Sequence, residues 1–262
     1  MNNRRPFRYA ALAGFFVFTL KADPVPVRHV QGSIHGYLVL KDLDDKVLAS
    51  GDMIQLPAGN HVTTTLTLNF KDGSRYQETS VFSQRRIFQL LSYKQSMNGP
   101  AFKTQESLSL DTATGNVGIQ YDKDGKDKAI TDPLSLPPDL ANGIIPMLLG
   151  NADSKAETTL SMLVSTPRPR IVRLKISASG QDSFSIGGSF AKATHYLIKI
   201  DIGGVTGVAA KLVGKQPPPI HIWIAAGNAP VFLRSEGPLY EDGPIWRIEL
   251  ASPTWPKAQQ NQ

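Results

Sequence analysis

His61–Phe70 (HVTTTLTLNF) decides the fold class. Val62, Thr64, Leu66, Leu68 and Phe70 fall on one face, and Thr63, Thr65, Thr67 and Asn69 on the other. That period of two belongs to a β-strand with one buried and one wet face, the usual condition of an antiparallel sheet. Lys71-Asp72-Gly73 comes next, and Asp-Gly is a strong hairpin signal because both turn positions need a positive φ. Ser74–Ser83 (SRYQETSVFS) supplies the return strand, and Ile87–Ser96 continues the meander.

The same alternation recurs outward from this hairpin. Asp42–Lys46 turns between two strands, and Val117–Tyr121 with Lys128–Ile130 flanks Asp124-Gly125. Further strands are expected at Glu157–Ser165, Arg170–Ser177, Ser183–Ile186, Thr194–Ile202, Val208–Val213, Ile220–Ala225, Pro230–Ser235 and Pro244–Leu250. Short strands at regular spacing, with turn residues between them, specify an all-β protein. One segment departs from the pattern. Leu140–Leu149 (LANGIIPMLL) is too apolar for a free surface helix; Asp139 is suited to cap its start and Gly150 to follow its end. Gly143 and Pro146 make this helix short or kinked. The fold class expected is therefore mainly β, a single curved antiparallel sheet or half-barrel with one short apolar helix near 139–150.

The chain begins with a different grammar. Arg4, Arg5 and Arg8 precede Ala10–Leu20 (AALAGFFVFTL), a basic-then-apolar order typical of a secretory signal peptide and too short for a membrane span of about 20 residues. Residues 1–22 are read as that leader, 23–255 as one β-rich domain and 256–262 as a disordered tail. Thr166–Arg170 (TPRPR) is the one candidate linker, but the strands on both sides of it have the same composition. The expected location is exported, periplasmic or extracellular, with membrane contact only if the leader stays uncleaved.

Charge and composition exclude several functions. Lys and Arg number 28 against 22 Asp and Glu, a formal +6. Four of those cations, Arg4, Arg5, Arg8 and Lys21, lie in the leader, which leaves 24 against 22. The rest are scattered, so no basic stripe points to nucleic acid. There is no Cys, which removes disulfide frameworks, cysteine–zinc sites and thiol nucleophiles. His29, His35, His61, His195 and His221 show no metal-ligand spacing, so neither metal nor cofactor is expected. Ser189-Phe190-Ala191-Lys192 matches S-x-x-K, but it sits between Gly187-Gly188 and the strand expected from Thr194 rather than at a helix start, and it lacks its partner motifs.

Two stretches are candidates for a site. In Ile220–Ile224 (IHIWI), alternation sets His221 and Trp223 on the face opposite three Ile, as a pocket wall or as an ordinary half-exposed strand face. Ser235–Leu250 (SEGPLYEDGPIWRIEL) gathers Glu236, Tyr240, Glu241, Asp242, Trp246, Arg247 and Glu249. Its carboxylates fit an acid–base pair for a glycan hydrolase. Its parity fits a hairpin with Trp246 in the core and Arg247 and Glu249 on the wet face.

The C-terminal pieces, Ala193–Ile200 (ATHYLIKI), His221–Ile224 (HIWI) and Pro230–Arg234 (PVFLR), resemble uncharacterised secreted bacterial proteins with a curved sheet similar to that of the lipoprotein-carrier (LolA/LolB) group. The resemblance implies a half-barrel with an apolar concave face and a helical lid; it carries over no functional residue. The expected function is then non-catalytic binding of an apolar or amphipathic, lipid-like ligand. Trp223, Trp246, His221 and Tyr240 would line one concave surface with Leu140, Ile144, Met147 and Leu148. The alternatives are the hydrolase and a structural or partner-binding β domain.

Overall fold

The computed structural model describes residues 24–123, 126–165, 168–186, 188–202, 216–227 and 229–251. The leader, the tail, the Asp124-Gly125 turn and the strand expected at Val208–Val213 lie outside them. Among the described residues, fourteen strands form one open antiparallel sheet, not a closed barrel, with a single short helix. Eight strands make a first meander: β1 (Ile34–Lys41), β2 (Val47–Ala58), β3 (His61–Phe70), β4 (Arg75–Gln84), β5 (Phe88–Asn98), β6 (Glu106–Asp111), β7 (Asn116–Lys123) and β8 (Lys126–Pro133). Six more make a second: β9 (Thr158–Val164), β10 (Arg170–Ile186), β11 (Ser189–Asp201), β12 (Ile220–Ala225), β13 (Phe232–Gly237) and β14 (Trp246–Leu250). The meanders join where β1 pairs with β14, from Leu38↔Leu250 to Lys41↔Arg247.

The alternation read in β3 is the alternation observed. Val62, Leu68 and Phe70 are buried on the inner face, and Thr63 and Asn69 are exposed. At the turn, Gly73 has φ 88° and the Asp72 carboxylate accepts the Ser74 amide at 2.9 Å; Asp72 itself is not at positive φ, so the turn needs that conformation at Gly73 alone. The inner face carries most of the core, including Leu40, Leu68, Phe82, Leu90, Leu174 and Ile198. The strands expected at Arg170–Ser177 and Ser183–Ile186 are one long strand, β10, which absorbs a bulge between Ala178 and Gly180. The candidate linker connects β9 and β10, which are hydrogen-bonded neighbours.

The helix differs from expectation. It is α1 (Ile145–Asn151), with Pro146 in its first turn and Ile144 before it. Asp139 does not cap it; its buried carboxylate pairs with Arg173 at 2.8 Å instead. Gly150 lies inside the helix rather than beyond it, and the chain leaves through Ala152 in an extended conformation. Pro146 explains the late start: proline suits the first turn, where no amide bond is lost, and disrupts an interior.

Residues 134–151 cover the inner face. Leu140 bridges Ser161 in parallel, and the Ala141 amide donates to the Ser161 carbonyl at 2.9 Å. The Asn142 side chain then stands in for strand backbone. Its Nδ2 donates to the Leu163 carbonyl at 2.9 Å, and its Oδ1 accepts the Leu163 amide at 2.8 Å. These bonds satisfy the open edge of β9, which would otherwise offer unpaired groups to another chain. Asn151 ties the far end: its Oδ1 accepts the amides of Arg28 and His29 at 2.9 and 2.7 Å, and its Nδ2 donates to the Met147 carbonyl.

Candidate functional site

The residues expected to share one concave surface divide between the two faces of the sheet. Leu140, Ile144 and Leu148 are buried in the cover, and Met147 is half-buried beside Thr64. Trp246 and Tyr240 do meet on the inner side, in an aromatic group with Phe70 and Phe102. Trp246 lies 5.4 Å from Phe70, and Phe102 lies 5.7 Å from Tyr240, ring centre to ring centre. The first pair is tilted at 54° and the second is edge-on, the arrangements that aromatic rings favour in a packed core. His221 and Trp223 lie on the opposite, outer face, because strand parity puts Ile222 and Ile224 into the core.

The outer face holds the most organised polar cluster. β12 lies between β11 and β13 with His195↔Trp223 and Trp223↔Arg234 in register. The His195 ring stacks on Trp223 at 4.3 Å and 6° from the β11 side, and the Arg234 guanidinium lies 5.5 Å from the indole on the β13 side. The Trp223 indole N–H donates to Asp182 Oδ2 at 2.6 Å. His195 Nε2 and His221 Nδ1 share a hydrogen bond of 2.8 Å. Phe184, Ala193, Trp223 and Leu233 form a small buried apolar cluster of their own beneath these groups.

Charges of alternating sign continue the row across the seam. Glu249 on β14 takes both Lys41 of β1, at 2.9 Å, and Arg234 of β13. Arg247 takes Glu236 of β13 at 2.8 Å and Asp45, in the turn after β1, at 2.6 Å. Each cross-strand pair therefore bridges one side of the five-residue β14, the short strand that joins the two meanders. Burial lowers the pKa of His195, and the neighbouring His221 lowers it further; Asp182 and Glu236 oppose both.

A second polar group lies on the inner face below Gly143. Tyr76 and Tyr93 donate their hydroxyls to the same oxygen of Glu78, at 2.7 and 3.1 Å, and Gln95 donates to Tyr76 at 3.3 Å. Burial raises the Glu78 carboxyl above its ordinary range, while the two phenols hold it down. Ser80 donates to the Asn142 carbonyl at 3.4 Å, so this network is part of the seat on which the cover rests.

The carboxylates of 235–250 do not converge on a cleft. Glu236 is bound to Arg247 on the outer face, Glu241 reaches Arg170 at 3.5 Å from the turn before β14, and Asp242 occupies that turn with φ 56°. Ser189 and Lys192 lie on β11 at odd and even positions, so strand parity sets them on opposite faces. Among the described residues no group of three or more His, Asp or Glu side chains is arranged to hold a metal ion, and no helix is long and apolar enough to cross a membrane.

No known family model matches this sequence, and no curated protein matches it. The chain is similar in fold to a β-barrel-like protein of domain of unknown function DUF1849 from Brucella abortus, with a TM-score of 0.44 and 9% identity over 90% of this chain and 99% of that one. The comparisons add no link to the lipoprotein-carrier group.

Sequence reasoning missed Asp182, His195 and Arg234 as neighbours of Trp223. His195 and His221 stand 26 residues apart and meet only through strand register. The available signal was the matching parity of ATHYLIKI and IHIWI once those strands are paired.

Proposed function

We propose that this chain is an exported, non-catalytic β-sheet protein that works as a structural or partner-binding domain. The observation that carries this reading is the filled inner face. Ala141, Ile144 and Leu149 of the cover are at most 1% exposed. Two crevices beside them are small. One of about 10 Å³ lies between Val25, Phe88, Leu140 and Leu148, and one of about 140 Å³ lies between Gln89, Leu90 and Leu136–Leu140. A drug- or lipid-sized ligand needs about 300–1,000 Å³. The carboxylates of the 235–250 hairpin are engaged in ion pairs or exposed on a turn, which speaks against the hydrolase. Export rests on the basic-then-apolar order of residues 1–22.

The larger crevice favours a second reading, in which an amphipathic ligand enters beside Pro137 and Pro138 and displaces the cover. Native mass spectrometry of the protein purified from its own envelope separates the two. The expected spectrum is the chain without residues 1–22 and without bound lipid, and a fatty-acid probe leaves tryptophan fluorescence unchanged. A stoichiometric lipid mass would replace the first reading with the second. A mass that retains Met1, from protein found in the cytoplasm, would contradict export and leave the binding question to the probe.

A further inference from the structure

We propose that the end of the sheet where β2 turns into β3 and β4 into β5 docks on an anionic phospholipid bilayer, which rests on the partner-binding reading above and names the partner. Three segments are laced together at this end. The Phe88 amide donates to the Val25 carbonyl and the Val27 amide to the Arg86 carbonyl, both at 3.0 Å, so the chain before β1 lies along the β4–β5 turn. The Gln31 amide donates to Gln84 Oε1 at 2.6 Å, and the Gln84 amide donates to the Asn60 carbonyl at 2.8 Å. Gln55 Nε2 donates to the Gly32 carbonyl at 2.8 Å. Residues 24–33, 55–62 and 83–89 therefore make one continuous surface.

That surface is cationic. Its three segments contain Arg28, Arg85 and Arg86 and no Asp or Glu. All three Arg are exposed, and among the described residues none of their guanidinium groups is in an ion pair. Asn151 ties the turn after α1 to Arg28 and His29. That turn brings Asp153 and Glu157 with Lys155 between them, one net negative charge against three positive. The turns at the opposite end of β1 to β4 carry Asp42, Asp44, Asp45 and Asp72 instead.

The same surface is apolar between its cations. Val30, Leu56 and Ile87 are 76%, 58% and 38% exposed. Apolar side chains among cations are what a peripheral protein sets at the headgroup level of a membrane. Each Arg is attracted to the negative surface, and its planar fork matches a phosphate. Residues 1–22, which the export reading carries into a bilayer, join the described chain at this end, at Pro24. A bilayer held at its headgroups leaves no lipid inside the sheet, in keeping with the lipid-free mass expected above.

Vesicle flotation tests this with the protein purified from its own envelope, on phosphatidylcholine vesicles with and without an equal share of phosphatidylglycerol. The expected result is flotation with the anionic vesicles alone, lost at high salt. Arg28→Gln with Arg85→Gln and Arg86→Gln is expected to weaken partitioning about tenfold or more. Val30→Ser with Leu56→Ser is expected to weaken it several-fold. These side chains are exposed, so both variants should fold as the parent does. Lys46→Gln with Lys71→Gln and Arg75→Gln removes the same charge from the opposite end and should leave flotation unchanged. Equal flotation with neutral vesicles, no loss in the Arg28–Arg85–Arg86 variant, an equal loss in the two charge variants, or no flotation at all would each overturn the docking. Those outcomes would leave the partner-binding reading to a protein partner, and export is read separately from the mass of the chain.

Discussion

Replacing Gly143 by alanine is expected to destabilise the protein by about 3 kcal/mol, from two separate causes. Gly143 has φ +67°, a conformation that costs an L-residue roughly 1–2 kcal/mol. The added methyl would also meet Ser80 Oγ at 2.0 Å and Glu78 Oε1 and Tyr93 Cε2 at 3.0 Å each. Ser80 is 1% exposed and already bonded to the cover, so its hydroxyl has no free space to enter. Overpacking of this kind costs about 1–3 kcal/mol. Urea unfolding monitored by tryptophan fluorescence checks the total. Adding Ser80→Gly should recover the steric share and leave only the backbone share of about 1–2 kcal/mol. A Gly143→Ala protein as stable as the parent would mean that the cover does not press on β4 and β5.

The second large effect is expected from Arg173→Met, at about 3 kcal/mol or roughly a 10 °C fall in Tm. Arg173 reaches from β10 to Asp139 at 2.8 Å and to Ser161 Oγ at 2.5 Å. The Asp139 side chain has no exposed surface, so removing the cation leaves a carboxylate buried without a counter-charge. That is more costly than losing the pair as a whole. The double variant Asp139→Leu with Arg173→Met should therefore be more stable than Arg173→Met alone, by calorimetry at neutral pH. If the double variant is the less stable of the two, Asp139 is solvated by some other route and the ion pair is not the anchor of the cover.

The elements read correctly from sequence were those whose signal is local. His61–Phe70 needs only its own alternation and the Asp-Gly that follows it. Ile220–Ile224 and Ile245–Ile248 sort their two faces by parity alone, and Trp246 is in the core while Arg247 and Glu249 pair on the opposite face, where Glu249 is buried by its ion pairs rather than wet. The helix boundary failed because the roles of Asp139 and Gly150 are set by distant partners. Asp139 is consumed by Arg173, and Gly150 lies close to Pro230 and Ile224. The shared concave surface failed for a related reason. The parity that correctly united His221 with Trp223 also excludes both from the face that holds Trp246, and reading that exclusion requires the pairing of β12 through β13 to β14. Asn142 shows the limit most plainly. Nothing in LANGIIP marks an amide that completes the edge of a strand twenty residues on.

The account depends on the cover being a fixed part of the core and not a lid. The chain has no cysteine, so single thiols can be placed without background. Ala141→Cys reports on the cover and Ala49→Cys on β2; both parent residues are at most 1% exposed. The decisive measurement is the rate of native-state thiol labelling at these two positions in water. The account predicts equal, slow rates set by global unfolding. Labelling at position 141 faster than at position 49 by two or more orders of magnitude would contradict it, because the cover would then open while the sheet stays folded.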